Sequence, residues 1–366
     1  MRKAINIIAL LVLAATCGVA QKPRVTNAKI QELPASSGLK AVVDSILQKQ
    51  DSPAWIGYSI PSTPKERNIC CFVSWDAERG RDAANKCCMG CKLESNNGSS
   101  FSGTDSNCTQ PEPAPYSFVL YRVEQHKVSK VRVYSADCPL DFSNLPLYWL
   151  QNVDPAQSIA VLTDFALSYD KEQEDDSRSK ANHAVQAIAL HDNAAADQAL
   201  EKLLQPDKPE GLRKHVIFWL AIERGKPGLA LLRKYVPNDP SDDFRKHGTF
   251  AFSQSKEPDA IKDLISMAHN DPSPHVRGQA IFWMAQIGGR KEAQQITDAI
   301  ENDPGNEVKK RAVFALSQMR DGEGVPMLIN VAKTNKNPVV RKEAIRWLGM
   351  TNDPRALDYL EQILTK

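Results

Sequence analysis

Ala187, Trp219, Ala251, Trp283, Ala315 and Trp347 recur every 32 residues, alternating small and large without a miss. No local motif produces such a column. A stack of equivalent structural units does, because each unit is too small to bury its apolar face alone. Other columns keep the same period. Ala184, Val216, Gly248, Ala280, Ala312 and Ala344 are small; Phe218, Phe250, Phe282 and Phe314 are aromatic; Leu220, Phe252, Met284, Leu316 and Leu348 are large and apolar. Within one unit Val276, Ala280, Trp283 and Met284 fall at helical spacing, the buried stripe of an amphipathic helix. A second stripe follows in each unit: Leu229, Leu232 and Val236; Ile261, Leu264 and Ala268; Val325, Leu328 and Ala332; Leu357, Leu360 and Leu364. Each unit is therefore a helical hairpin. The Trp/Ala column reads as core, an indole of one unit packed over an alanine of the next, and not as a ligand cage.

Punctuation agrees with this reading. Asp239-Pro240, Asp271-Pro272 and Asp303-Pro304 repeat between one hairpin and the next, where an aspartate caps a helix and a proline opens it. A base stands six residues after each acid: Asp207 and Arg213, Asp239 and Arg245, Asp271 and Arg277, Asp303 and Lys309, with Arg341 following Asn335 where the acid is lost. This pattern predicts a structural ladder, the acid capping backbone amides and the base bonding a neighbouring unit. A ligand-binding row of arginines is the competing reading.

The Asp-x5-Arg pairing, the small residue in mid-helix and the hairpin unit resemble HEAT repeats. The short unit is most similar to the compact HEAT-like subclass named after phycobilisome lyases. The resemblance covers roughly residues 177–366 and implies a mainly α fold: an α-solenoid of about six hairpins. It implies little about function, since such arrays serve unrelated tasks. Ankyrin and tetratricopeptide signatures are absent, as is a bilin-type signature. Leu147-Tyr148-Trp149-Leu150 with Ile159, Leu162 and Ala166 reads as a degenerate capping hairpin. The run from Asp170 to Lys180 reads as a solvated loop, so residues 141–176 form a cap and an acidic loop ahead of the array.

The front of the chain is of another kind. Met1-Arg2-Lys3, an apolar run from Ala4 to Ala15 and Gly18-Val19-Ala20 before Gln21 predict a secretory signal over residues 1–20, too short to be a membrane span. Cys17 as an acylated lipoprotein residue competes, although Thr16 fits that pattern poorly. Losing Arg2 and Lys3 brings the 46 Lys and Arg of the chain to parity with its 44 Asp and Glu. No basic block stands out, which argues against nucleic acid or an anionic membrane as the main partner.

Residues 21–140 hold seven of the eight cysteines (Cys70, Cys71, Cys87, Cys88, Cys91, Cys108 and Cys138), and the repeats hold none. A small α+β domain is expected here. Gly38 to Gln50 should be helical, Ala54 to Ile60 and Ile69 to Val73 should be strands, and Tyr116 to Ser135 a hairpin around a loop-rich stretch from Ser95 to Pro115. Disulfides are the default for such cysteines in an exported chain; an odd number leaves one free or paired between chains. A thiolate metal site using Cys88-x2-Cys91 with Cys70 or Cys71, and a redox site, stay open as alternatives. Asn97 and Asn107 match the glycosylation pattern.

His183, His215 and His247 share one repeat column and invite a metal. Helices pack about 8–10 Å apart, whereas zinc needs each nitrogen at about 2.1 Å, so three in line could not converge; half-buried structural histidines are expected instead. No H-E-x-x-H, G-x-S-x-G, Walker or G-x-G-x-x-G pattern occurs. The expectation is a non-enzymatic binding or scaffold protein of the cell envelope or exterior, without a cofactor, holding a protein or peptide along an array about 60 Å long. The alternatives are a metal- or redox-active envelope protein and, less favoured, a lyase-type enzyme. Second helices are taken to line the inner face, so Lys262, Gln294 and Asp358 in one column and Lys234, Asp298 and Asn330 in another are the contact candidates.

Overall fold

The computed structural model of the chain describes residues 24–62, 91–94, 115–136, 138–169, 179–288 and 292–365. The proposed signal peptide with Cys17, the strand at 69–73, Cys70, Cys71, Cys87, Cys88 and Cys108, both glycosylation motifs and most of the acidic run lie outside these residues.

The first part is an α+β unit. Its elements are β1 (Val25–Thr26), β2 (Lys29–Pro34), α1 (Leu39–Lys49), β3 (Ala54–Pro61), β4 (Cys91–Lys92), β5 (Tyr116–Glu124), β6 (Lys127–Ser135), β7 (Leu140–Asp141), β8 (Pro146–Gln151) and α2 (Pro155–Leu167). Five strands form a sheet in the order β2-β8-β3-β5-β6, and β1-β7-β4 form a small second sheet. β5 and β6 make the hairpin that alternating Phe118, Leu120, Val131 and Val133 predict. Its turn puts both Gln125 and His126 at positive φ, 49° and 60°, the combination a two-residue primed turn requires.

Residues Leu147 to Leu150 correct the sequence reading. They are not the first helix of a cap but the middle of β8, parallel to β2 on one side and β3 on the other. Period-two burial explains it: Leu147 and Trp149 face one side of the sheet, Leu150 the other. A short apolar run carries no periodicity that separates a buried strand from a helix. Only α2 of the expected capping hairpin is helical, started by Asp154, whose side chain accepts from Ala156 and Gln157 N–H.

The sheet is buried on both faces. On one, Trp55, Phe118, Leu120, Leu147 and Trp149 close against Cys91, Cys138, Leu140 and Phe142 of the small sheet. Gly57 is required there, since a Cβ would sit 2.7 Å from Leu120 and 2.9 Å from the Trp149 ring. On the other face, Ile56, Tyr58, Tyr121 and Val131 meet α1, α2 and the array in one continuous core that runs on through Ile188, Leu220, Phe252, Met284, Leu316 and Leu348.

The array consists of hairpins α3 (Lys180–Leu190) with α4 (Ala194–Leu203), α5 (Glu210–Glu223) with α6 (Gly225–Tyr235), α7 (Asp242–Gln254) with α8 (Ala260–Asn270), α9 (Pro274–Gly288) with α10 (Ala293–Asn302), α11 (Asn306–Ser317) with α12 (Val325–Thr334), and α13 (Pro338–Leu348) with α14 (Pro354–Leu364). The first helices of successive hairpins pack closely in series, while the second helices touch their counterparts sparsely. The small column is buried in the packing seam; at Gly248 a Cβ would collide with the Val236 side chain.

Candidate interaction surface

The acid–base column lies at the core's edge. Arg245 Nε and Nη2 grip both carboxylate oxygens of Asp271 in the next unit (2.8 and 3.0 Å), while Nη1 donates to the carbonyl of Asp239 in its own (2.8 Å). Arg277 repeats this with Asp303 and Asp271, and Arg213 binds Asp239 and covers the Phe244 ring. Asp239, Asp271 and Asp303 also accept from the amides of Ser241, Ser273 and Gly305. Both ends of the column differ. Asp207 is exposed and pairs with Lys208. Lys309 caps the carbonyls of Ile300 and Glu301; Arg341 holds the carbonyl of Asn335, whose amide goes to Glu301. With Arg245 and Asp271 side chains 8% and 4% exposed, these arginines have no face left for a ligand.

The aromatic columns are arranged differently from the simple core the spacing suggests. Ala187, Ala251 and Ala315 are buried, but Trp219, Trp283, Trp347 and all four phenylalanines are half-buried, on the solvent-facing stripe of the first helices. Phe218 stacks on Phe250 and Phe282 on Phe314, both with centroids 5.9 Å apart. Between these pairs Trp283 meets Phe250 at 4.9 Å and Trp347 meets Phe314 at 4.8 Å. Trp219 and Trp283 also touch the phenylalanine before them edge-on, and Arg346 lies over Trp347. The result is an unbroken ribbon of rings across α5, α7, α9, α11 and α13. From α7 onward the alternation is thus a two-unit rhythm: at Ala251 and Ala315 phenylalanine stacks on the phenylalanine of the preceding unit, and Trp283 and Trp347 bridge to the preceding unit by the indole.

Beside the ribbon, four residues later on each helix, stand Gln254, Gln286 and Gln318. The sequence reading passed over them, although the same period would have found them. The nominated contact residues lie on the opposite, second-helix layer. There Lys234 pairs with Glu201 and Lys262 with Asp259, each at 2.6 Å; Asp298 accepts from Asn302; the Asn330 carbonyl takes the Thr334 hydroxyl; Gln294 and Asp358 are exposed. Nothing gathers them into one site.

Of the histidine column, His183 sits against the Ser179 carbonyl and Arg132. Burial, with help from Lys214 and His215, pushes His247 down to about 4. Among the described residues no group of three or more His, Cys, Asp or Glu side chains could hold a metal ion. Cys91 and Cys138 are disulfide-bonded.

One buried polar network joins sheet to array. His191 Nδ1 meets the Ala187 carbonyl (2.7 Å) and Nε2 the Ser158 hydroxyl (3.0 Å); Ser158 meets Tyr58 (2.8 Å), and Tyr58 meets Tyr121 (2.5 Å). Burial pushes His191 down to about 4 and raises both tyrosines. Arg224 clasps the same corner from α5, bonding the His191 carbonyl (2.6 Å) and both Asp197 oxygens. A serine beside a histidine suggests acyl chemistry, but all four side chains are fully buried, so a substrate has no path to them.

Comparison with known proteins places the array. The pattern of the HEAT-repeat family matches residues 229–317 and 293–366. No curated protein matches the chain. Solved structures similar to it include human deoxyhypusine hydroxylase in complex with glycerol, 15% identical over 57% of this chain and 90% of that one, TM-score 0.29. AlkD2 from Streptococcus mutans is 16% identical over 53% and 97%, TM-score 0.37. The CpcE–CpcF complex of phycocyanin lyase from Nostoc is 14% identical over 57% and 81%, TM-score 0.27. At such scores none of them bears on what this chain does.

Proposed function

We propose that this HEAT-like repeat protein is a non-enzymatic scaffold of the cell envelope or exterior, whose array holds a protein or peptide partner against its first-helix face. The ring ribbon is the observation that carries the reading. A contiguous apolar stripe half open to water costs solubility and is a usual mark of an interaction surface; aromatic side chains supply most of the energy in such contacts. The second helices also carry half-buried apolar side chains, Ile261, Ile265 and Ile329 among them, but no ring-to-ring contact is described between them. A photo-crosslinking phenylalanine analogue in place of Phe282, and another in place of Lys262, test it in living cells. The expected outcome is a discrete adduct from position 282 and none from 262. Equal yields from both positions, or none from either, would overturn it.

Export is the second half of the proposal and rests on residues 1–20. Mass spectrometry of the protein recovered from its compartment should give a mature N-terminus at Gln21; an intact Met1 sinks this half. The bonded state of Cys91 and Cys138 favours a disulfide-braced front domain over a thiolate metal site. Thiol counting on the mature protein should then find about one reactive thiol in an odd set of seven cysteines.

A further inference from the structure

The stack of hairpins is covered at one end and open at the other. At the front, α2 and β6 pack on α3. At the back, no hairpin follows α14 among the described residues. Positions that earlier hairpins hide beneath their successors come to the surface there. Val236, Ala268, Ile300 and Ala332 are buried; Leu364, next in that column, is 83% exposed. Gly248 shows what hides them, since a Cβ there would run into Val236 of the hairpin before. Val325 is buried, and its equivalent Leu357 is 58% exposed. Ile217, Thr249, Ile281 and Val313 are buried, whereas Ile345 is only partly so. A terminal repeat ordinarily turns a polar face outward. This one presents aliphatic side chains that continue the seam between hairpins.

Charge at this end is also left unmatched. Along the array, Lys214 reaches forward to Asp243 of the next hairpin, and Glu201 forward to Lys234, 2.6 Å away. Their equivalents in the last hairpin are Lys342 on α13 and Glu361 on α14, both exposed and without an ion partner among the described residues. The two signs stand on different helices at matching heights. α13 and α14 run away from their turn at 349–353. Ile345 and Leu357 each lie four residues from that turn, about 6 Å along the axis; Lys342 lies seven residues from it and Glu361 eight, about 10–12 Å. A two-fold axis parallel to the helices sets α13 of one copy on α14 of the other with heights unchanged. Ile345 then meets Leu357 and Lys342 meets Glu361, each contact made twice.

We propose that this open end is a dimerisation face, and that its occupant is the same end of a second copy, joined tail to tail. Such a like-to-like contact closes on itself. The front end, covered by α2 and β6, offers no equivalent face to a head-to-tail neighbour. The ring ribbon takes no part, so each copy keeps it for a partner.

Sedimentation equilibrium of the purified chain tests the proposal. A reversible equilibrium between monomer and dimer is expected, with nothing larger. Leu357→Glu, a change at an exposed position that folding tolerates, should abolish the dimer; circular dichroism checks that each variant is folded. Lys342→Glu and Glu361→Lys each turn two attractions into two repulsions, so each should weaken the dimer about tenfold or more. They also serve where Leu357→Glu folds poorly. The double swap, Lys342→Glu with Glu361→Lys, should restore the dimer, because each introduced acid then faces an introduced base. A chain that is wholly monomeric at about 0.1 mM, a dimer indifferent to a folded Leu357→Glu variant, assemblies larger than two, or a double swap no better than either single change would each overturn the proposal.

Discussion

Asp271 shows what a single residue holds in this array. Its carboxylate receives Arg245 from the unit before and the Ser273 amide of the unit it opens. Asp271→Ala strips the pairing from a buried guanidinium, and breaking such a pair costs about 3–5 kcal/mol; Asp207→Ala, at the exposed end, should cost under about 1 kcal/mol. Chemical denaturation of both variants checks the contrast. Trp283 is the converse case. Its spacing alone suggests a fully buried indole, worth about 3–5 kcal/mol on truncation, but its ring is half-buried and its Nε1 is an enclosed donor without an acceptor. Trp283→Ala should therefore fall below that range, near about 2 kcal/mol, and Trp283→Phe should be neutral within about 1 kcal/mol, since it removes an unsatisfied N–H while keeping the Phe250 contact. Column membership was legible in the sequence at these residues. Exposure was not, because a period of 32 says which residues are equivalent and nothing of which side of the stripe faces water.

At the scale of elements, legibility followed periodicity. Long amphipathic helices and the β5–β6 hairpin could be read because their spacing repeats within the element itself. β8 could not: Leu147 to Leu150 is four apolar residues whose strand identity comes from neighbours 90 to 120 positions upstream, β3 and β2. The sheet makes its own prediction. Trp149 lies across Gly57 where strands β8 and β3 pair, so Gly57→Val must push an indole and Leu120 out of a fully packed layer. Overpacking of this kind costs about 1–3 kcal/mol. Near-ultraviolet circular dichroism should weaken as Trp149 loses its fixed site, while the helical far-ultraviolet signal stays.

The whole molecule behaves as one body because its sheet and its array share a core, and the His191 network sits where they join. α3 packs on β6 and α2, the Asp192 amide bonds the Pro61 carbonyl at the end of β3, and Arg224 ties α5 to the same corner. Sequence patterning located the two halves but not this seam, whose members Tyr58, Tyr121, Ser158 and His191 come from four separate elements. The seam makes the fold acid-sensitive. His191 titrates at about 4 when folded, against an ordinary value of 6.5, chiefly through burial, with Arg224 adding to it. Between those values the unfolded chain binds the proton and the folded chain does not, so stability is full above pH 6.5 and drains away as pH falls toward 4. A shift of this size corresponds to about 3 kcal/mol. His247 titrates in the same window and with the same sign, so unfolding free energy measured from pH 7 to 4 should fall for both reasons. His191→Gln should flatten part of that slope, and His247→Gln a separate part. The two differ in where the protein loosens first. Hydrogen exchange at pH 5, corrected for intrinsic rate, should accelerate in β3, α2 and α3 of the native protein relative to α11 and α13, and His191→Gln should abolish the pH dependence of that difference while His247→Gln leaves it. Uniform acceleration along the chain would mean that the seam is no weaker to acid than the rest of the core.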